Sequence, residues 1–128
     1  MKIAAIIART LLGLAFVVFG LNMFLHFMPT PPMSGPPLDF MTAVAVETHF
    51  ILVIGFFQVL GGLLAISGRF TPLGLTILAA ILANIIAFHL AFHAPGIGTG
   101  VVFGLLALFC LWVYRANFAG IFSSATSI

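Results

Sequence analysis

Polar positions along this chain are rare, and they fall between long apolar runs rather than alternating with apolar ones. Four runs stand out: Thr10–Phe27, Phe50–Ser67, Pro72–His93 and Gly98–Tyr114. Each is close to the about 20 helical residues needed to cross a hydrocarbon core of about 30 Å. No acidic or lysine side chain interrupts any of them. Between the second and third runs, SGRFTPLG predicts a helix stop at Gly68, a new start capped by Thr71, and Pro72 in the first helical position. That is a tight helical hairpin. Between the first and second runs, MPTPPMSGPPLDF carries five prolines from Pro29 to Pro37. Proline lacks an N–H donor and restrains the residue before it, so this stretch is expected to be non-helical and residues 28–46 to form a proline-rich outer loop. A short interfacial helical turn over Leu38–Val46 is expected to lead into the second span. APGIG breaks the chain again at Pro95 and Gly96. No repeat or low-complexity segment divides the chain, and residues 1–128 read as one domain.

Composition turns four apolar runs into four membrane spans. The 128 residues are 63% hydrophobic and 5% charged, with a mean hydropathy of +1.36, whereas a soluble domain carries roughly a quarter charged residues. The formal charge of +2 comes from Lys2, Arg9, Arg69 and Arg115 against Asp39 and Glu47. It is too sparse for a nucleic-acid footprint, and the pI of 9.3 reflects a scarcity of charge. The single Cys110 excludes an intrachain disulfide and a CxxC redox pair. The first apolar run exceeds a signal-peptide core and has no small-x-small cleavage pattern after it, so it reads as a retained span.

Charge also gives an orientation. With a cytoplasmic N-terminus, all four basic residues fall on the inner side, as the positive-inside rule requires, and the C-terminus is cytoplasmic too. Trp112 and Tyr114 beside Arg115 suit an inner aromatic belt, with Arg9, Arg69 and Arg115 as inner-face anchors. His26, Asp39, Glu47, His49, His89 and His93 then collect at the outer ends of spans or in the outer loop. The expected architecture is an all-α integral membrane protein, a four-transmembrane-helix bundle with both termini cytoplasmic.

Helical periodicity says which polar groups share a face. His89 and His93 are four apart, as are Asn22 and His26. Glu47 and Gln58 fall within about 20° of one another if the second helix runs unbroken back to Glu47. Gly13 and Gly20 share a face with Arg9, Gly55 and Gly62 flank Gln58, and Gly96, Gly100 and Gly104 recur every four residues. Small residues permit close helix approach where lipid supplies no hydrophobic force between helices. Structural roles compete with functional ones at every polar position. Gln58 and Asn84 are expected as interhelical hydrogen-bond partners, and His26 and His49 suit the headgroup zone as amphipathic rings. Glu47 and His89 are harder to dismiss, because ionisable groups close to hydrocarbon usually have a partner or a task.

These residues carry a resemblance. ARTLLGLAFVVFGLNMFLHFMPTPP, then IGFFQVLGGLLAISGRFTPLGLTILAAILANIIAFHLAFHAPG, then LWVYRANF resemble, in that order and over essentially the whole chain, the DoxX family of small four-helix bacterial membrane proteins. Many relatives carry Glu where this chain has Gln58. The resemblance implies a place in the bacterial cytoplasmic membrane and a subunit role in a redox assembly. A related subunit serves an archaeal thiosulfate:quinone oxidoreductase, and a mycobacterial relative joins a superoxide dismutase and a sulfurtransferase.

Three functional readings follow. In the first, the bundle holds a quinone near the outer face: His89 is headgroup partner and proton acceptor, Glu47 a proton acceptor, and Asn84 or Gln58 an orienting hydrogen bond, with His26 and His49 as secondary candidates. In the second, the chain is a non-catalytic scaffold docking to a larger membrane complex. The third, a metal or haem site on the histidines, lacks HExxH, CxxCH or a clustered carboxylate pair, and no metal is expected. No flavin or nucleotide fingerprint appears, so electrons would have to come from or go to a second membrane or membrane-associated subunit.

Overall fold

The computed structural model describes residues 1–124, and these form helices joined by turns, without a strand among them. In chain order they are α1 (Lys2–Leu25), α2 (Pro36–Thr42), a π-helical turn (Ala43–Glu47), α3 (Ile51–Ser67), α4 (Thr71–Phe92), α5 (Ile97–Val113) and a 3-10 stretch (Arg115–Phe122). Two helices, α1 and α4, are long and apolar enough to cross a membrane, each with a mean hydropathy of 2.2 over its best window. The count rises to four if the bent pairs Pro36–Glu47 with Ile51–Ser67, and Ile97–Val113 with Arg115–Phe122, are each one span.

The four long helices close a ring in which α1 packs on α3 and α5, and α4 packs on α3 and α5. The inside of the ring is narrow and built of small or medium side chains: Ala8, Leu12, Ala65, Leu75, Leu78, Ala107 and Cys110, with Phe16 the largest. The larger apolar side chains point outward, among them Leu11, Leu14, Phe57, Leu63, Leu105 and Leu108. A water-soluble fold inverts this arrangement, because contiguous exposed apolar surface needs an apolar neighbour.

Glycines decide how close the helices come. A Cβ on Gly62 would lie 2.5 Å from the Gly13 carbonyl oxygen, and one on Gly20 would lie 2.7 Å from the Gly55 carbonyl oxygen. The α1–α3 seam is thus a backbone-to-backbone contact, as the spacing of these glycines predicts. A second such contact, between Gly61 and Gly74, joins α3 to α4, with Gly74 only 2.5 Å (from its hypothetical Cβ) from the Ala65 nitrogen. The α5 glycines differ from expectation. Gly100 and Gly104 meet only side-chain atoms of Ile85 and Ile86, at 3.4 Å or more, so α5 packs through side chains, including the edge-to-face rings of Phe16, Phe19 and Phe103.

Boundaries shift for identifiable reasons. The first helix begins at Lys2 rather than Thr10, because Ala4, Ala5 and Ala8 are strong helix formers and Arg9 finds a partner inside the bundle. Gly68 ends α3 in the left-handed conformation (φ 77) as expected, but Thr71 is the first residue of α4 and its side chain does not cap it. Residues 28–46 are not wholly loop: Pro36 and Pro37 start α2, where their missing N–H groups cost nothing, and Phe40 anchors that short helix on Phe88 and Phe92 of α4 at 5.5 and 5.4 Å.

Candidate functional site

Helix pairing sorts the charged residues by end. The antiparallel contacts Gly13–Gly62, Gly20–Gly55 and Gly61–Leu78 bring Lys2, Arg9, Arg69 and Arg115 to one end of the ring and Asp39, Glu47 and the four histidines to the other.

At the basic end, Arg9 does not reach outward as an anchor. Its Nη1 donates to Thr71 Oγ1 at 2.9 Å, and Thr71 Oγ1 donates to the Ala65 carbonyl at 3.3 Å. The same guanidinium lies over Gly68, where the C-terminal carbonyls of α3 favour a cation. Arg9 therefore ties α1 to the α3–α4 turn. Arg69 and Arg115 are exposed; Arg115 stacks over Trp112 at 5.0 Å and donates to the Trp112 carbonyl at 2.8 Å.

At the other end, α2 and the π-helical turn lie across the space between α1, α3 and α4 and border a half-open cavity of about 580 Å³. Its walls are almost entirely apolar, with Met23 from α1, Ile54 from α3, Ile81 and Phe88 from α4, and Phe40 and Met41 from α2. Three polar side chains enter it: Gln58, Asn84 and His89. Three of the four proposed principal site residues thus share one wall system.

Gln58 is the deepest of them. It is only 3% exposed, yet its Oε1 is buried without a partner, a condition that costs roughly 1–3 kcal/mol when nothing compensates. The expected interhelical hydrogen bond is not made. Asn84 does not bridge helices either: its Nδ2 donates to the carbonyl of Ala80 on its own helix at 2.9 Å. His89 lies one turn from the end of α4, with Nδ1 at 2.7 Å from the Ile85 carbonyl. A carbonyl only accepts, so Nδ1 carries the hydrogen.

Glu47 is outside this group. The helix does not run unbroken from Glu47 to Gln58: Thr48 Oγ1 donates to the Ala43 carbonyl at 2.8 Å, His49 turns left-handed (φ 57), and the chain bends by 85° before α3. The shared stripe requires a continuous helix, so it is lost, and Glu47 is exposed away from the cavity. His26, His49 and His93 have a common conformational role. They are the only non-glycine residues with positive φ among those described, at 52°, 57° and 49°, and His26 and His93 end α1 and α4. Imidazole is among the side chains that tolerate this region, which explains three exposed histidines at helix breaks without invoking ligands. Among the described residues no three His, Cys, Asp or Glu side chains gather in a metal-binding group.

Sequence reasoning missed the lid and the lining methionines. Met23, Met33 and Met41 border the cavity, and thioethers suit an adaptable apolar wall; a methionine excess around the proline loop was the available signal. The fold and site thus define an all-helical protein with two to four helices able to span a membrane and an apolar cavity at the histidine-bearing end. No family model, curated protein or solved structure matches the chain.

Proposed function

We propose that this chain is a small multi-pass membrane subunit of a redox assembly, related to the DoxX family, that binds a quinone headgroup in the cavity under α2. In this reading all four long helices cross the bacterial cytoplasmic membrane, both termini are cytoplasmic, and the cavity opens toward the outer leaflet. A second subunit exchanges electrons with the bound headgroup. The observation that carries the reading is Gln58, a buried side chain whose Oε1 has no partner, in a cavity lined almost entirely by apolar side chains. Ligand sites have this composition: mostly apolar walls with a few polar groups that fix orientation.

The contributions of the residues follow from their positions. Gln58 meets the deep edge of the headgroup, His89 the edge nearer the lid, and Asn84 lies between them. Met23, Met41 and Phe40 exclude water and accept the alkyl tail. Glu47, outside the cavity, has no direct contact with a ligand seated there. The purified protein in detergent should bind a decyl-chain benzoquinone saturably, and Gln58→Leu should weaken binding roughly five-fold, the equivalent of one hydrogen bond of about 1 kcal/mol. Absence of saturable binding would reject the quinone reading.

A further inference from the structure

The cavity's polar groups differ in the partners they still seek. Asn84 and His89 each turn an N–H back onto a carbonyl of their own helix, to Ala80 at 2.9 Å and Ile85 at 2.7 Å. For His89 this back-bond uses the single N–H of the Nδ1–H tautomer and leaves Nε2 as an acceptor, whereas Asn84 keeps a second N–H beside its Oδ1 and can still donate or accept. Neither His89 Nε2 nor Asn84 Oδ1 has a hydrogen-bond partner among the described residues. The buried Gln58 Oε1 is a third unpartnered acceptor. The ring plane of His89 is held by two independent contacts, the Ile85 carbonyl and the edge-to-face packing of Phe88 at 5.4 Å and 89°. Its Nε2 faces the Pro95–Gly96 turn, 3.8 Å from the position of a Cβ on Gly96.

Register places these acceptors along a line. The Gly61 contacts with Ile77 and Leu78, and the Gly74 contacts with Leu64 and Ala65, set Gln58 level with Ala80 and Ile81. Asn84 then lies about 5 Å, and His89 about 13 Å, farther toward the lid at 1.5 Å per residue. That interval accommodates one aromatic ring with a hydrogen bond at each end.

We propose that the cavity selects a headgroup that donates hydrogen bonds, the hydroxyl of a phenol or hydroquinone, over one that only accepts, with His89 Nε2 as the discriminating acceptor. The inference rests on the reading that the cavity holds an apolar-tailed headgroup and adds which chemical form it prefers. For a quinone-type ligand, the reduced, hydroxyl-bearing form is the tighter one. A ligand that only accepts leaves His89 Nε2, an acceptor in the Nδ1–H tautomer, facing another acceptor, and sites built around a ligand hydroxyl reject analogues that lack it. Gln58 discriminates less, because its amide also carries two N–H donors and its terminal torsion has two nearly equivalent settings.

Two redox-inert probes separate hydrogen-bond donation from apolar fit: para-octylphenol and its methyl ether, which have the same ring and tail but differ in the hydroxyl hydrogen. Binding is measured on the full chain in detergent, with every variant and probe compared at one fixed pH. The phenol should bind at least about five-fold more tightly than the ether, and His89→Phe, which keeps a ring against Phe88, should bring the two to within about two-fold of each other. Ala80→Phe, which fills the cavity, should weaken both. If phenol and ether bind the parent protein equally and Ala80→Phe weakens both, the preference for donors is overturned while the cavity remains a ligand site. If the parent discriminates and folded His89→Phe discriminates just as well, His89 is not the acceptor and the assignment fails. No saturable binding of either probe overturns the ligand-site reading itself. Should His89→Phe fail to fold, the phenol-to-ether ratio of the parent protein still decides the donor preference.

Discussion

Arg9 shows how one residue's role depends on what it meets. Near the start of an apolar helix it has the profile of a snorkelling anchor, yet it turns inward to Thr71 and the end of α3. Its Nε remains buried without a partner, so the network is charged and incompletely satisfied. Arg9→Met should lower the melting temperature in detergent, with a loss of roughly 1–3 kcal/mol. In a double-mutant cycle with Thr71→Val the two losses should be less than additive, because both remove the same hydrogen bond. Fully additive losses would mean that the Arg9–Thr71 contact contributes nothing. The same logic separates His89 from His93: His93→Ala should leave ligand binding unchanged in a titration, since His93 is an exposed left-handed helix terminus and only His89 enters the main cavity.

Among elements, the seams of the bundle are not equivalent. The α1–α3 seam has backbone against backbone, and a methyl group on Gly62 has no room beside the Gly13 carbonyl. Gly62→Ala should therefore destabilise the protein by about 1–3 kcal/mol, as overpacking does. Gly104→Ala should be nearly silent, because its new methyl meets only the far end of Ile86 at 3.4 Å. Thermal denaturation of both variants in one detergent tests this, and equal melting points would show that the α1–α3 approach is looser than described. Glycine spacing alone predicted three such stripes. The stripes on α1 and α3 turn out to face each other, while the one on α5 meets no backbone, since a glycine repeat shows that close approach is possible and not that a partner backbone is there. The Gly61–Gly74 contact went unrecognised for the converse reason: its two glycines belong to different helices, and no periodicity within either one links them.

For the whole molecule, the separation of basic residues from histidines and carboxylates predicts how the chain sits in a membrane. Both Ser34, in the proline segment, and Ser124, after the 3-10 stretch, are exposed. In a Cys110→Ala background, a cysteine at Ser34 should react with an impermeant thiol reagent in intact cells, and one at Ser124 should be protected until the cells are lysed. The reverse pattern would invert the proposed topology, and with it the proposed orientation of the cavity.

The sequence by itself determined the all-helical character, the helices apolar enough to span a membrane and the hairpin at Gly68, and it singled out Gln58, Asn84 and His89 together with Glu47, His26 and His49 as the polar groups to follow. These follow from local rules: the length of an apolar run, a proline or glycine that ends a helix, and the cost of a polar group near hydrocarbon. Tertiary structure decided what those groups do with their hydrogen bonds. It placed Glu47 outside the site by bending the chain at Thr48–Phe50, seated α2 as a lid through Phe40, turned Arg9 inward, and left Gln58 without a partner. Each outcome depends on which residues from distant segments come within a few ångströms, and short-range periodicity contains no such information. A hydrogen bond forms or fails within a few tenths of an ångström, so the chemistry of the cavity emerged only once α3 and α4 had docked.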